Sequence, residues 1–183
     1  MEPLLTSRTP MAILWVTQAL ESAMIVKILT TGGTIDKVYF DRLSEFEVGE
    51  PEIGQILQEA NVAIDYEIVP LLKKDSLELT DDDRRLIVET IASDPCERFV
   101  VTHGTDTMRT TAQALQAVAG KVIVLTGAMQ PARFRSTDAI FNVGSAILAA
   151  QTLPPGVYIV INGRVFDPNQ CRKNRERNCF EDA

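Results

Sequence analysis

Short runs of apolar and often β-branched residues recur along the chain and predict strands. They cover residues 25–29, 64–69, 98–101, 121–125 and 157–161. Pro70 is expected to end the second strand. Four segments between the runs predict helices: residues 51–60, a segment capped by Thr80, residues 110–118, and residues 139–150. This alternation predicts an α/β fold with a doubly wound, mostly parallel sheet and helices on both faces.

The chain is expected to form one domain over residues 24–183, preceded by a loosely ordered extension over residues 1–23. It has 183 residues, 45% of them hydrophobic, which suffices for one core of ordinary size. Residues 11–16 are apolar and faintly resemble a secretory leader, but Glu21 breaks the small-residue cleavage pattern. A tail or an upstream start is therefore the favoured interpretation of this segment.

Composition narrows the classes of function. The net charge of -7 disfavours a general affinity for nucleic acid, and no apolar stretch reaches the roughly 18 residues of a membrane span. A basic segment near the end is interpreted as solvated rather than RNA-binding; it contains Arg172, Lys173, Arg175 and Arg177. Three cysteines without a CxxC pair and a single histidine favour a reduced cytoplasmic compartment and a site without metal.

Two threonine-bearing turns follow the first and third predicted strands: TTGGTI at residues 30–35 and THGTDT at residues 102–107. The carboxyl ends of strands in open α/β sheets form ligand crevices. A hydroxyl such as that of Thr34 becomes a nucleophile when a neighbouring group takes its proton. Tyr39, in the loop that follows, is a candidate for that group. Thr105 and Asp106 in the second turn, with Lys173 later in the chain, favour a hydrolase with an activated hydroxyl.

These features also have ordinary structural interpretations. A pair of glycines after a strand is often only a turn, and threonine often caps a helix. His103 is interpreted as a hydrogen-bonded residue at a strand end rather than as a base. No dinucleotide or P-loop motif follows the first strand, so nucleotide binding is not expected.

Taken together, the motifs resemble the N-terminal domain of the bacterial-type L-asparaginases, from about residue 25 to residue 180. The matching stretches are TGGTI at 31–35, DS at 75–76, HGTDT at 103–107, TGAMQP at 126–131 and VFD at 165–167. The two threonine motifs together are highly specific to this family. The length is most similar to that of the short-chain members, which lack the usual C-terminal domain.

The resemblance implies hydrolysis of L-asparagine to L-aspartate and ammonia through an acyl-enzyme, without a cofactor. Thr34 would be the nucleophile, and Thr105, Asp106 and Lys173 would assist proton transfer and water activation. The implied substrate contacts are Gly33, Asp75, Ser76, Gly104, Thr105, Asp106 and Ala128. Of these, Ser76 would bind the α-carboxylate and Asp106 the α-ammonium group.

Some family features have no direct match. The family's loop tyrosine would align near Phe46, which has no hydroxyl, and we expect Tyr39 to replace it. Leu77 stands where long members often have a polar substrate contact. The glutamate that the C-terminal domain of long members supplies has no counterpart by motif. Weak binding of the α-amino end is therefore expected.

Several alternatives stay open at the level of sequence. A glutaminase or broader amidohydrolase would use the same residues, and a tRNA-dependent amidotransferase component carries a similar domain. A catalytically silent amino-acid-binding module is a further alternative. We expect a homodimer or higher homo-oligomer. The apolar residues of the fourth helix fit either an interface or an internal helix face: Ile140, Phe141, Val143, Ile147 and Leu148.

Overall fold

The computed structural model of this chain describes residues 24–40 and 45–183. The expected N-terminal extension, residues 1–23, lies outside the described residues. The α-helices are α1 Ile53–Glu59, α2 Asp81–Ser93, α3 Met108–Leu115 and α4 Ala139–Thr152. The strands are β1 Val26–Gly32, β2 Lys37–Phe40, β3 Glu45–Val48, β4 Tyr66–Lys74, β5 Arg98–Thr102, β6 Val122–Thr126, β7 Gly156–Ile161, β8 Arg164–Phe166, β9 Cys171–Asn174 and β10 Cys179–Asp182.

The main sheet has six strands in the order β4-β1-β5-β6-β7-β8. The first five are parallel, and β8 runs antiparallel to β7. The predicted α/β class and mostly parallel sheet are thus confirmed. Because β1 lies between β4 and β5, the winding direction of the chain reverses there, and such reversals open a crevice at the carboxyl ends of the two strands.

Both faces of the sheet are buried. On one face, α1 and α4 pack over residues such as Ile28 and Val124. On the other face, α2 and α3 pack over residues such as Phe99 and Ile123. This arrangement confirms the expected doubly wound architecture and fixes the carboxyl ends of β1 and β5 on a rigid support. Among the described residues, no helix is long and apolar enough to cross a membrane.

The expected end of the second strand at Pro70 was wrong. The strand β4 continues through Pro70 to Lys74. It is the edge strand of the sheet, where a residue without an N–H group is tolerated. The register with β1 shifts just beyond Pro70, between Thr30 and Gly32. The continuation matters for the site because it places residues 74–76 beside the turn that ends β1.

The apolar residues of α4 form two groups, one buried and one exposed, and each group fits one of the two interpretations given above. Val143 and Ile147 are buried in the core, as expected for an internal helix face. Ile140, Phe141 and Leu148 are 52%, 63% and 62% exposed. The outer face of α4 is therefore apolar and accessible in the single chain.

Two adjacent residues of α4 give a stability prediction. Replacing Ile147 by Ala removes core packing and is expected to lower the free energy of unfolding by about 2–5 kcal/mol. Replacing Leu148 by Ala removes an exposed side chain and is expected to change it by about 0.5 kcal/mol or less. Urea denaturation of both variants at low protein concentration measures the difference. A large loss in Leu148→Ala at low protein concentration would contradict an outer face that is exposed in the single chain.

Candidate active site

The turn after β1 depends on two glycines in the left-handed backbone region. Gly32 and Gly33 have φ values of 93° and 90°. A Cβ at Gly33 would lie 2.4 Å from the backbone N of Gly104, and one at Gly32 would lie 2.6 Å from the carbonyl O of Lys74. No side chain fits at either position. The chain therefore brings Thr34, which begins a short 3-10 helix, Thr34–Asp36, directly beside the turn that follows β5.

The turn after β5 approaches the end of β4 just as closely. A Cβ at Gly104 would lie 2.6 Å from both Cβ and Oγ of Ser76. The hydroxyl of Thr107 donates a hydrogen bond of 2.6 Å to the carbonyl of Ser76, which is buried. Asp75 accepts a bond of 3.1 Å from the N–H of Leu77 and so caps the second 3-10 helix, Ser76–Glu78. Three turns thus meet at one edge of the sheet.

Lys173 reaches this edge from the other end of the chain. Its Nζ donates hydrogen bonds of 2.7 Å to Oγ1 of Thr105 and 3.0 Å to Oδ1 of Asp106. The side chain of Lys173 is only 17% exposed. Its hairpin, β9–β10, is anchored because Cys171 and Phe180 are buried in the core. The structure brings these three polar residues together; the roles given to them above stay predictions.

The basic segment near the end is a β-hairpin, and its arginines are solvated as the sequence suggested: Arg172, Arg175 and Arg177 are 64%, 75% and 72% exposed, whereas Lys173 is not. Each of its four cations has a carboxylate partner within 3.5 Å. The pairs are Arg172 with Glu181, Lys173 with Asp106, Arg175 with Asp106, and Arg177 with Glu181. The contact of Arg175 with Asp106 was not predicted from the sequence. Arg175 lies in the turn just after β9, so no strand periodicity in the sequence could have placed it beside Lys173.

Tyr39 lies on β2 rather than in an irregular loop. It faces Phe46 across the β2–β3 hairpin, with ring centroids 5.4 Å apart, and is 54% exposed. No hydrogen bond joins its hydroxyl to another residue in ranges 24–40 and 45–183. The structure therefore does not bring the Tyr39 hydroxyl into contact with Thr34. It does place Tyr39 beside the position where the family resemblance puts a tyrosine.

A cleft of about 500 Å³ separates this hairpin from the second 3-10 helix. Its lining residues are Lys37, Phe46, Glu47, Val48, Lys73, Asp75, Leu77 and Glu78. Lys37 and Asp75, both in this lining, form an ion pair of 2.6 Å that was not predicted from the sequence either. Burial alone would raise the pKa of Asp75, but hydrogen bonds from Lys37 and Leu77 outweigh it and lower that pKa. Asp75 is thus held as a carboxylate beside Ser76.

His103 is a structural residue of the second turn, as the sequence suggested. It is fully buried, with Nδ1 2.7 Å from the carbonyl of Gly104 and Nε2 2.8 Å from Oγ1 of Thr111. Burial lowers its pKa to about 4. The neutral imidazole therefore fixes the conformation of the Gly104 turn, and both of its nitrogens are occupied.

The loop after β6 is hydrogen-bonded to the turn that carries Thr34. Ala128 is buried within it, and the carboxylate of Asp138 accepts hydrogen bonds from the N–H groups of Met129 and Gln130. The N–H of Ala132 donates a bond of 3.0 Å to the carbonyl of Ile35. The loop is therefore tied directly to the Thr34 turn. Within the described ranges, no cluster of three or more His, Cys, Asp or Glu residues could hold a metal ion.

Asp36, the last residue of the 3-10 helix that Thr34 begins, anchors this turn by a buried hydrogen bond. It is 2% exposed, and its Oδ1 accepts a hydrogen bond of 2.9 Å from the N–H of Glu52, just before α1. Its Oδ2 has no partner among the described residues. Burial raises the pKa of Asp36 to about 6, and the hydrogen bond from Glu52 opposes this shift only in part. A buried carboxyl group two residues from Thr34 is therefore protonated over part of the ordinary pH range.

Comparison with known proteins shows the family to which this chain belongs. The family model described as "Asparaginase, N-terminal" matches residues 25–182. L-asparaginase 2 of Escherichia coli K12 is 29% identical over 160 residues, which cover 81% of this chain and 46% of that protein. The chain belongs to the asparaginase family, through its N-terminal domain.

Two further comparisons add detail. One component of the glutamyl-tRNA(Gln) amidotransferase of Methanococcus vannielii is 45% identical over 73 residues, 39% of this chain and 17% of that protein. The crystal structure of L-asparaginase I from Vibrio cholerae superposes with a TM-score of 0.77 at 28% identity and covers 88% of this chain. That match covers 52% of the Vibrio chain. The present chain thus spans about half the length of the L-asparaginases that it matches.

Asp36 gives a prediction about pH. Because its folded pKa of about 6 lies above the ordinary value of 3.8, its contribution to stability is present at low pH and is lost as the pH rises to about 6. His103 acts in the opposite direction, since its lowered pKa costs stability as the pH falls from 6.5 towards about 4. The wild-type profile alone therefore mixes the two effects.

Asp36→Asn separates them, because the amide keeps an acceptor for Glu52 and cannot titrate. The free energy of unfolding of the wild type minus that of Asp36→Asn should fall between about pH 4 and pH 6, by up to about 1.4 kcal/mol per pH unit. Urea denaturation at several pH values measures this difference. A difference that stays constant with pH would show that Asp36 is not the titrating group.

Proposed function

We propose that this domain hydrolyses the side-chain amide of L-asparagine to L-aspartate and ammonia, without a cofactor. The observation that carries the proposal is the contact of Lys173 with both Thr105 and Asp106. It lies at the sheet edge where Gly33 and Gly104 bring the Thr34 turn alongside. Membership of the asparaginase family supports the same chemistry.

In the proposed first half-reaction, the hydroxyl oxygen of Thr34 attacks the amide carbonyl carbon. The hydroxyl proton is passed to the amide nitrogen, the C–N bond breaks, and ammonia leaves an ester on Thr34. Thr34 suits this role because it is half-buried and its hydroxyl makes no hydrogen bond to another described residue. Its oxygen is thus not committed to a structural contact within that part of the chain.

In the second half-reaction, water hydrolyses the ester and restores the Thr34 hydroxyl. Thr105, Asp106 and Lys173 form a continuous hydrogen-bonded set in which a proton of the attacking water can be accepted and returned. Ser76 and Asp106 are proposed to hold the two ends of the amino acid. Their turns are kept in register by the Gly104–Ser76 contact and by the bond from Thr107.

The similarity to an amidotransferase component suggests a second candidate, in which ammonia is delivered to a partner. It rests on 73 residues, against 160 for L-asparaginase 2 of Escherichia coli. Release of ammonia by the purified chain alone favours the hydrolase. A homo-oligomer is part of the proposal, supported by the exposed apolar face of α4. A cytoplasmic location is also proposed, supported by the three cysteines, which are all free thiols.

The test of the nucleophile is Thr34→Ala. Ammonia release from L-asparagine should fall by about 10³-fold or more, since the variant has no hydroxyl to acylate. Binding of L-aspartate should change only severalfold. L-glutamine and D-asparagine, assayed beside L-asparagine, measure the substrate preference. Thr90→Ala, on the exposed side of α2, is the control and should keep full activity. Unchanged turnover in Thr34→Ala would remove it as the nucleophile.

Substitutions of Tyr39 and its neighbour Phe46 on the β2–β3 hairpin test the role of the Tyr39 hydroxyl. Removing the hydroxyl in Tyr39→Phe should lower kcat by about 10- to 100-fold if this group moves the Thr34 proton. Adding Phe46→Tyr in the same protein should restore much of the loss, because the two rings are neighbours. Steady-state ammonia release measures both. Full activity of Tyr39→Phe would exclude this hydroxyl from catalysis.

A further inference from the structure

We propose that Arg175 binds the α-carboxylate of the substrate and makes the site selective for amides that carry this anionic group. The proposal rests on the proposed function, since it concerns the substrate of the same site. Its starting point is that Asp106 faces two cations. Lys173 Nζ lies 3.0 Å and an Arg175 guanidinium nitrogen 3.1 Å from the same oxygen, Oδ1.

Asp106 is one carboxylate that contacts two cations, so this group of three side chains carries one excess positive charge. Around the threonine turns, Asp75 is paired with Lys37, and Asp106 is shared by Lys173 and Arg175. These contacts join three cations to two carboxylates, although the whole chain has a net charge of -7. An anionic group that binds beside Arg175 would therefore balance the charge of the three side chains Asp106, Lys173 and Arg175.

Arg175 has the freedom and the donors to bind such a group. It lies just after β9, in the turn of the β9–β10 hairpin, and its side chain is 75% exposed. Among the described residues, only Asp106 accepts a hydrogen bond from its guanidinium group. A guanidinium group has five N–H donors in a planar fork that matches a carboxylate. Most of these donors are thus available for a ligand.

The second oxygen of Asp106 completes the arrangement. Oδ2 makes no hydrogen bond or ion pair with any residue in the described part of the chain. An α-amino acid can therefore place its ammonium group at this oxygen and its carboxylate at Arg175. Ser76 can add a neutral hydrogen bond to the same carboxylate, but it supplies no charge. Charge-assisted hydrogen bonds are roughly twice as strong as neutral ones, so Arg175 would add a strong contact to the one from Ser76.

The experiment compares Arg175→Gln with Arg177→Gln. Both residues lie in the same turn and both substitutions remove one positive charge, but Arg177 contacts Glu181 instead of Asp106. Arg175→Lys is a second variant that keeps the charge and loses the planar fork. The substrates are L-asparagine, succinamate, which lacks the α-ammonium group, and 3-aminopropanamide, which lacks the α-carboxylate. Steady-state ammonia release gives KM and kcat for each.

Arg175→Gln should raise KM for L-asparagine and succinamate by about tenfold or more, with little change in kcat. It should leave 3-aminopropanamide unaffected, and Arg177→Gln should match the wild type throughout. Arg175→Lys should fall between the two. A KM for L-asparagine and succinamate that stays at the wild-type value in Arg175→Gln would overturn the proposal. A lower KM for 3-aminopropanamide would also overturn it, because Arg175 would then only compete with the ammonium group for Asp106.

Failure of the proposed function is distinguishable from failure of this inference. If the wild type releases no ammonia from any of the three amides, the hydrolase proposal fails. Isothermal titration with L-aspartate and with β-alanine, which lacks the α-carboxylate, then tests Arg175 directly. Weaker binding of L-aspartate alone in Arg175→Gln supports the inference. Equal affinities in both proteins, or no binding of L-aspartate to the wild type, overturn it.

Discussion

The candidate site depends on a close approach of three backbone turns at the carboxyl ends of β4, β1 and β5. Gly33 and Gly104 are so near each other that a Cβ on the first would overlap the backbone of the second. A Cβ on Gly104 would in turn overlap Ser76. This absence of side chains is what lets the three hydroxyl-bearing turns lie side by side. The parallel sheet ends these strands at the same edge, and the glycines let the turns that follow come into backbone contact.

Burial of polar groups holds these turns in place. Asp36 under the first turn and His103 within the second are both nearly inaccessible, and both have pKa values shifted towards their neutral forms. A buried neutral group can hydrogen-bond to backbone atoms without the cost of desolvating a charge; His103 is neutral above about pH 4 and Asp36 below about pH 6. The more exposed charged residues Asp106 and Lys173 are not among the groups that hold these turns from within. Asp75 is an exception, because it is charged and also caps the second 3-10 helix.

Local sequence patterns predicted the five parallel strands and the two threonine turns because each depends on residues close in the chain, but they did not predict the antiparallel strand β8. They did not predict that β4 continues through Pro70, since edge position is a property of the whole sheet. They also missed the contact of Arg175 with Asp106, which joins residues 69 apart in sequence. The role of Lys173 was predicted from a family resemblance. In the sequence, Lys173 looks no different from the basic residues around it, and only the anchored β9–β10 hairpin brings it to the site.

The balance of charges bears on how the proposed amino-acid substrate would be bound by a protein with a net charge of -7. A zwitterionic substrate has no net charge, so the field of the whole protein neither attracts nor repels it strongly. Selectivity must then come from separate contacts to the two ends of the substrate. Asp106 has one oxygen bound to two cations and one without a partner among the described residues. This second oxygen of Asp106 offers a negative charge, and the remaining donors of Arg175 offer a positive charge. The two charges lie within the dimensions of a single amino acid.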